Sequence, residues 1–256
     1  MTHFHARIWL LPFCFIGFVQ LHAQPGKKEI TWNYLPDEHR DMVVYPYDTE
    51  AEAVILHDMG IWAPISIEKN QVVQQRHRRI KIFKESGVRL KDVVIEYKTG
   101  EKITGLKART INYEDGKKVV NNLKLKYLPE EKAGNNRKKK SFTFRDVRPG
   151  SIIEYQYVIH TQDVEWLKPW YFQEEIPVLH SEVRVDNFRE VTYAAFPQMY
   201  EVEPYRQGRY RMRHIKALEK GDFTGNWNDY RAGLRFQMEE FFSLRTEAEE
   251  WRLINM

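Results

Sequence analysis

Residues 141–185 read SFTFRDVRPGSIIEYQYVIHTQDVEWLKPWYFQEEIPVLHSEVRV, and the fold class follows from this stretch. Pro149-Gly150 has the chemistry of a type II turn, with proline at the second position and glycine at the third, where φ is positive. Alternating runs flank the turn. Phe142 and Phe144 share one face before it, and Ile153, Tyr155, Tyr157 and Ile159 share one face after it, because side chains alternate along a strand. An aromatic segment, 166–172, follows. Beyond it Leu179, Val183 and Val185 point one way and His180, Glu182 and Arg184 the other. Two-residue periodicity interrupted by turn residues describes a β-sheet core.

Upstream, the same grammar begins near Ala51. Ala53-Val54-Ile55-Leu56 reads as an apolar strand, and Asp58-Met59-Gly60 as a turn into a second run, 61–67. The run 72–83 carries Arg76, His77, Arg78, Arg79 and Lys81 between apolar residues and stops at Ser86-Gly87. Val93, Ile95 and Tyr97 alternate. Asp115-Gly116 joins 103–113 to 117–127 as a β-hairpin, one of the strongest short-range signals a sequence offers. The segment 129–139 reads as a polar loop. Downstream, 191–196, 210–218 and 230–238 are further strand candidates. Turns recur every eight to fifteen residues or so without a sustained helical period, which favours an antiparallel β-sandwich over alternating β and α units.

The two ends differ from this middle. Arg7 precedes the apolar run 8–19, and Leu21-His22-Ala23 offers a small residue before a cleavage point, the pattern of a signal peptide over 1–23. That run is too short to cross a bilayer comfortably, so no stable membrane span is expected after cleavage. Residues 24–50 form a polar and aromatic lead-in, 51–242 the sandwich, and 243–256 the start of a short C-terminal linker helix. Thr246 and Glu249 make a capping box there, and Ala248 and Trp251 share a helical face.

Composition narrows the function classes. The chain has 256 residues, 30% charged and 14% aromatic, as expected of a globular sheet protein. A formal charge of +4 is too mild to imply a nucleic-acid partner. Cys14, the only cysteine, lies within the predicted leader, so the exported chain would carry no thiol nucleophile, disulfide or thiolate metal site.

Several residue pairs invite a chemical reading. Glu174-Glu175 resembles a carboxylate pair, but adjacent strand residues face opposite ways and cannot flank one bond. His160 and His180, near Glu154 and Glu182, lie in strands that could be neighbours, yet the spacing of a metal motif is missing. His57-Asp58 could be a base and its orienter, with no nucleophile specified. The basic runs 76–81 and 137–140 suit solvated faces, or phosphates and acidic surfaces outside the cytoplasm. Trp166, Trp170 and Tyr171 could form a sugar-stacking platform, although tryptophan in a sandwich more often belongs to the core. Together with Trp251 they are the candidate interaction residues. No catalytic, cofactor-binding or metal-ligating residue is predicted.

Five blocks carry a family resemblance: AEAVILHDMG, RHRRIKIFKESG, the hairpin ending in Asp115-Gly116, SFTFRDVRPGSIIEYQY and WLKPWYFQEEIPVLHSEVRV, with NDYRAGLRFQM near the end. Over roughly 45–240 the chain is similar to the bacterial envelope family called domain of unknown function 3857. The resemblance implies an all-β sandwich, export to the periplasm or cell envelope, and a non-catalytic role beside a transglutaminase-like, papain-like thiol domain. Family members usually continue through a linker helix into that domain; here the chain stops at the helix. The expectation is therefore an accessory module whose partner is a transglutaminase-like domain or another envelope protein. The alternative is an independent glycan-binding or adhesion module.

Overall fold

The computed structural model describes residues 31–66, 71–162, 167–185, 191–200, 202, 204–206, 208–219 and 226–241. The predicted signal peptide, the C-terminal helix, Trp166 and Trp251 lie outside them. The fold is all-β, as the alternation predicts.

In chain order the strands are β1 (Ala53–Ser66), β2 (Gln71–Ile82), β3 (Asp92–Lys98), β4 (Lys102–Glu114), β5 (Lys117–Asn122), β6 (Glu131–Lys132) and β7 (Arg137–Thr143). They continue with β8 (Ile152–Thr161), β9 (Trp170–Tyr171), β10 (Val178–Val185), β11 (Val191–Gln198), β12 (Pro204–Arg206), β13 (Arg209–Ile215) and β14 (Gly233–Phe241). Eight form one large sheet in the order β12-β13-β10-β1-β2-β8-β4-β5; two small sheets run β11-β14-β9 and β3-β7-β6. Among the described pairs all are antiparallel except β1 with β10.

One hydrophobic cluster joins the large sheet to both small ones. Ile55, Ile153, Tyr155 and Val183 of the large sheet share it with Ile95 and Phe142 of one small sheet and Trp170, Leu234 and Phe236 of the other. The opposite face of the large sheet carries a smaller cluster, in which Val54, Leu56, Ile111 and Ile152 meet Tyr45 of the lead-in and Ala51 just after it.

Both predicted turns are present. Gly150 has φ +91° and the Ser151 N–H donates to the Arg148 carbonyl at 2.9 Å, closing the turn between β7 and β8. Asp115 and Gly116 both have positive φ, the I′ geometry that matches strand twist.

Three local readings differ. Asp58-Met59-Gly60 is not a turn: β1 is a single fourteen-residue strand passing through it. A glycine inside a strand often marks a close approach instead of a reversal. Here a Cβ on Gly60 would lie 2.6 Å from the Trp170 ring. The segment 129–139 is not wholly loop, since β6 and the start of β7 lie in it, and Arg137–Lys140 pair across to β3. Finally, Leu179 packs with Val54 and Leu56 in the smaller cluster, apart from Val183 and Val185. It sits beside a bulge in β1 between Ile55 and His57, and a bulge resets which face the following side chains take.

Candidate functional site: a cation-rimmed cleft between the small sheets

Strand β2 puts charge on both faces of the large sheet. Arg76 and Arg78 point toward the small sheets; His77, Arg79 and Lys81 point toward the lead-in. A strand with cations on both sides cannot be a half-solvated strand, so each face must supply counter-charge.

Toward the small sheets lies a cleft of about 870 Å³, within the range of natural ligand sites. Its aromatic lining includes Trp62, Tyr97, Tyr157, Trp170, Tyr171, Phe196 and Phe236. Beneath the floor formed by Arg76, Asp58 is almost fully buried and accepts from Arg76 Nε at 2.9 Å and Nη2 at 2.6 Å. Arg78 donates to the same carboxylate through Nε at 3.0 Å. Glu174 accepts from Arg78 and lies 2.6 Å from Arg231 Nη2. Burial pushes the Asp58 carboxyl up to about 6 against the pull of Arg76. Burial alone would lower the Arg76 guanidinium, but Asp58 and then Tyr157 hold it well above its ordinary value.

The aromatic walls are bound into this arrangement. The Arg76 guanidinium lies 4.8 Å over Trp170 and that of Arg231 4.3 Å over Tyr171. Trp170 is 2% exposed, donates from Nε1 to Ser181 Oγ at 3.1 Å and meets Trp62 edge-on. It is a core residue at the base of the cleft, not a free stacking surface. Tyr171 is half-buried. The exposed apolar side chains are Val94 and Phe196, 56% and 51% exposed.

On the other face, Glu154 is wholly buried. It accepts from Arg79 Nε at 3.1 Å and from Arg109 Nε at 2.7 Å, and lies 2.7 Å from His77 Nε2. Arg79 also donates to the carbonyls of Thr31 and Tyr34, Arg109 to that of Trp32, and Lys81 to that of Arg40. These charges clamp the lead-in to the sheet. Beside them His57 is 1% exposed, with neither ring nitrogen hydrogen-bonded among the described residues. It stacks on His180 at 5.7 Å and meets His77 edge-on at 5.3 Å. Burial, then His77 and His180, push its pKa well below the ordinary histidine value. Glu182 is held at about 2: burial would raise it, but hydrogen bonds from His180, Tyr205 and Arg184 outweigh that.

The sequence-stated pairs therefore separate. His160 and His180 are not on neighbouring strands, because β1 and β2 lie between β8 and β10; His160 bonds to Thr104 and His180 stacks on His57. His57 and Asp58 face opposite sides of the sheet, so neither orients the other. Glu174 and Glu175 lie in the loop before β10, not in a strand, and still diverge: Glu174 enters the cleft while Glu175 pairs with Arg89 at the surface. Among the described residues no three His, Cys, Asp or Glu side chains are placed to hold a metal ion. Asp58 and Glu174 are both engaged by guanidinium groups. Sequence reasoning named the basic run 76–81 without placing Arg76 and Arg78 at a cleft, and missed Arg231 and the β3 and β14 residues that line it. The one available signal was the cation pattern of β2, which put Arg76 and Arg78 in phase with Ile80 and Ile82.

Comparisons with known proteins fit this architecture. A protease candidate from Parabacteroides distasonis, solved by crystallography, superimposes with a TM-score of 0.59 at 15% identity, over 72% of this chain and 40% of that one. The chain thus spans well under half of that neighbour's length. Native leukotriene A4 hydrolase from Saccharomyces cerevisiae aligns over 73% of this chain and 29% of its own at 10% identity, with a TM-score of 0.36, too distant to carry an argument. No curated protein sequence matches. The profile of the Domain of Unknown Function with solved-structure structure (DUF3857) matches residues 68–219, a span that takes in Arg76, Arg78 and Glu174 and every strand of the large sheet except β1. The chain belongs to the DUF3857 family.

Proposed function

We propose that this domain is an exported, non-catalytic holding module: it retains an extended ligand in its cleft and presents it to a transglutaminase-like domain that acts on it. The observation that carries this reading is the cleft itself, open, walled by aromatic side chains and rimmed by cations, with floor carboxylates already neutralised by arginine. The neighbour from Parabacteroides distasonis supports an accessory role, since this fold accounts for 40% of a longer chain described as a protease candidate. The glycan-binding alternative finds less support, because Trp170 offers no free face for a sugar.

Titration calorimetry with an unstructured acidic polypeptide, a polyuronate and a neutral glucan tests the reading. At least one polymer should bind, and Phe196→Asp at the cleft wall should weaken it ten-fold or more. Tyr127→Asp, more exposed than Phe196 and outside the cleft, should leave binding unchanged. Binding of no polymer, or equal effects of the two variants, would remove the proposal.

A further inference from the structure

The two small sheets face the cleft with unfinished edges. At the two ends of the β3–β7 ladder, the Phe144 N–H donates to the Lys91 carbonyl and the Thr99 N–H to that of Asn136. These bonds bracket the pairs Asp92–Thr143 and Lys98–Arg137, which fixes the phase of the ladder. Val93, Ile95 and Tyr97 exchange bonds with β7, while the main-chain groups of Val94 and Glu96 point away from it. Those residues line the cleft. Of the four groups, only the Glu96 carbonyl has a partner among the described residues, Lys168 Nζ at a long 3.5 Å.

The facing wall is similar. Strand β9 has two residues and pairs only with Gly233 and Leu234 of β14. The Phe172 N–H donates to the Ala232 carbonyl at 2.8 Å, so Leu234 exchanges bonds with Trp170. Two residues on, the N–H and C=O of Phe236 point the same way as those of Leu234, beyond the end of β9 and with no strand there among the described residues.

We infer that β3 takes up an extended acidic polypeptide segment by strand addition at its cleft edge. This rests on the reading of the cleft as a holding site and names what it holds. Main-chain groups repeating every second residue match a polypeptide backbone, with about 6.6–6.8 Å between like groups. Exposed Val94 and Phe196 offer seats for alternate apolar side chains. Arg76, Lys98, Arg137, Lys168, Arg231 and Arg235 line the cleft against only Glu96 and Glu174. Arg137 pairs with Glu96 at 3.1 Å and Arg235 with Asp229 at 3.5 Å, but both arginines are more than half exposed. Such surface pairs are weak and can turn to an incoming carboxylate. Lys168, paired with Glu101 at 3.3 Å, lies over the β3 edge and would give up the Glu96 carbonyl to a peptide N–H.

The test uses the full chain and labelled eight-residue peptides followed by fluorescence anisotropy. A peptide of alternating Val and Glu should bind, and one of alternating Val and Lys should bind at least ten-fold more weakly. N-methylating alternate amides of the Val/Glu peptide, in each of the two phases, should cost ten-fold or more in at least one phase. Val94→Pro should lose binding equally while keeping its denaturation midpoint near that of the parent, since its N–H faces outward at a sheet edge. The peptide arm does not depend on how that variant folds. Full binding by both methylated peptides, or by a folded Val94→Pro protein, would overturn strand addition and leave the holding cleft standing. Equal binding of Val/Lys would overturn the acidic preference. Binding of a polyuronate or a neutral glucan but not of peptide would overturn the polypeptide assignment alone, and binding of none of them would overturn both readings.

Discussion

On one face of the large sheet Glu154 is sealed among His77, Arg79 and Arg109 beneath residues 31–40; on the other, Asp58 and Glu174 neutralise Arg76, Arg78 and Arg231 at the floor of an open cleft. Both clusters are built from alternate residues of one strand, β2. What separates them is the layer above. On the sealed face Arg79 and Lys81 donate to main-chain carbonyls of the lead-in, so the charges fasten one segment of chain to another. On the open face the layer is split between two sheets, and strand edges are left facing the gap. Similar charge chemistry thus serves as a clamp where it is covered and as a binding floor where it is not.

Removing one carboxylate from each cluster is the harshest way to break this comparison. Glu154→Ala leaves two buried guanidinium groups without their counter-ion and should cost about 3–5 kcal/mol. Glu174→Ala, where water can reach the arginines, should cost about 1–3 kcal/mol. Urea midpoints of the two variants measure the difference; equal losses would mean that the cleft floor is as closed as the clamp.

The next test disturbs only the cleft. Gly60→Ala would place a methyl group 2.6 Å from the Trp170 ring, and the strain of such overpacking is about 1–3 kcal/mol. The near-ultraviolet circular dichroism of the Trp62–Trp170 pair should change with it. An unaltered spectrum and midpoint would show that the two tryptophans have room to move.

The sealed face should also respond to pH through His57. Its folded pKa is lowered, by burial and by the nearby His77, His180, Arg79 and His39. Below about pH 6.5 the unfolded chain therefore takes up a proton that the folded chain refuses. Stability contributed by neutral His57 is complete above that pH and falls as the solution is acidified, by up to about 1.4 kcal/mol per pH unit. His57→Asn should lack this slope, whereas the opposite trend from Asp58, whose folded pKa is raised, persists in both proteins. Parallel stability curves for parent and variant between pH 5 and 7 would refute the assignment.

The smallest effect belongs to the turn that serves both faces. Gly150 has φ +91° and nothing within 4 Å of a Cβ placed there, so Gly150→Ala meets conformational strain without a clash. A loss of about 1 kcal/mol is expected from denaturation. No shift in the midpoint would mean that the turn adapts.

Much of this architecture is legible in the sequence, and the legible parts are local. Pro149-Gly150 and Asp115-Gly116 declare their turns because proline presets a negative φ at the second turn position and few residues besides glycine, asparagine and aspartate tolerate a positive one, and Ile153, Tyr155 and Ile159 declare a buried face because a strand alternates. The blocks around them suffice to mark the family. Only the tertiary structure decided the rest. Gly60 reads locally as a turn, yet it lies within β1 because Trp170, more than a hundred residues away, needs the space. The basic run Arg137–Lys140 reads as solvated loop, yet it pairs with β3 and finds counter-ions at Glu96, Glu130 and Glu131. His160 and His180 cannot be separated, nor β3 and β14 brought to opposite walls of one cleft, without the strand order. That order is set by which faces can bury one another and pair their charges. Alternation says that a residue faces inward; only the register of distant strands says what it meets there.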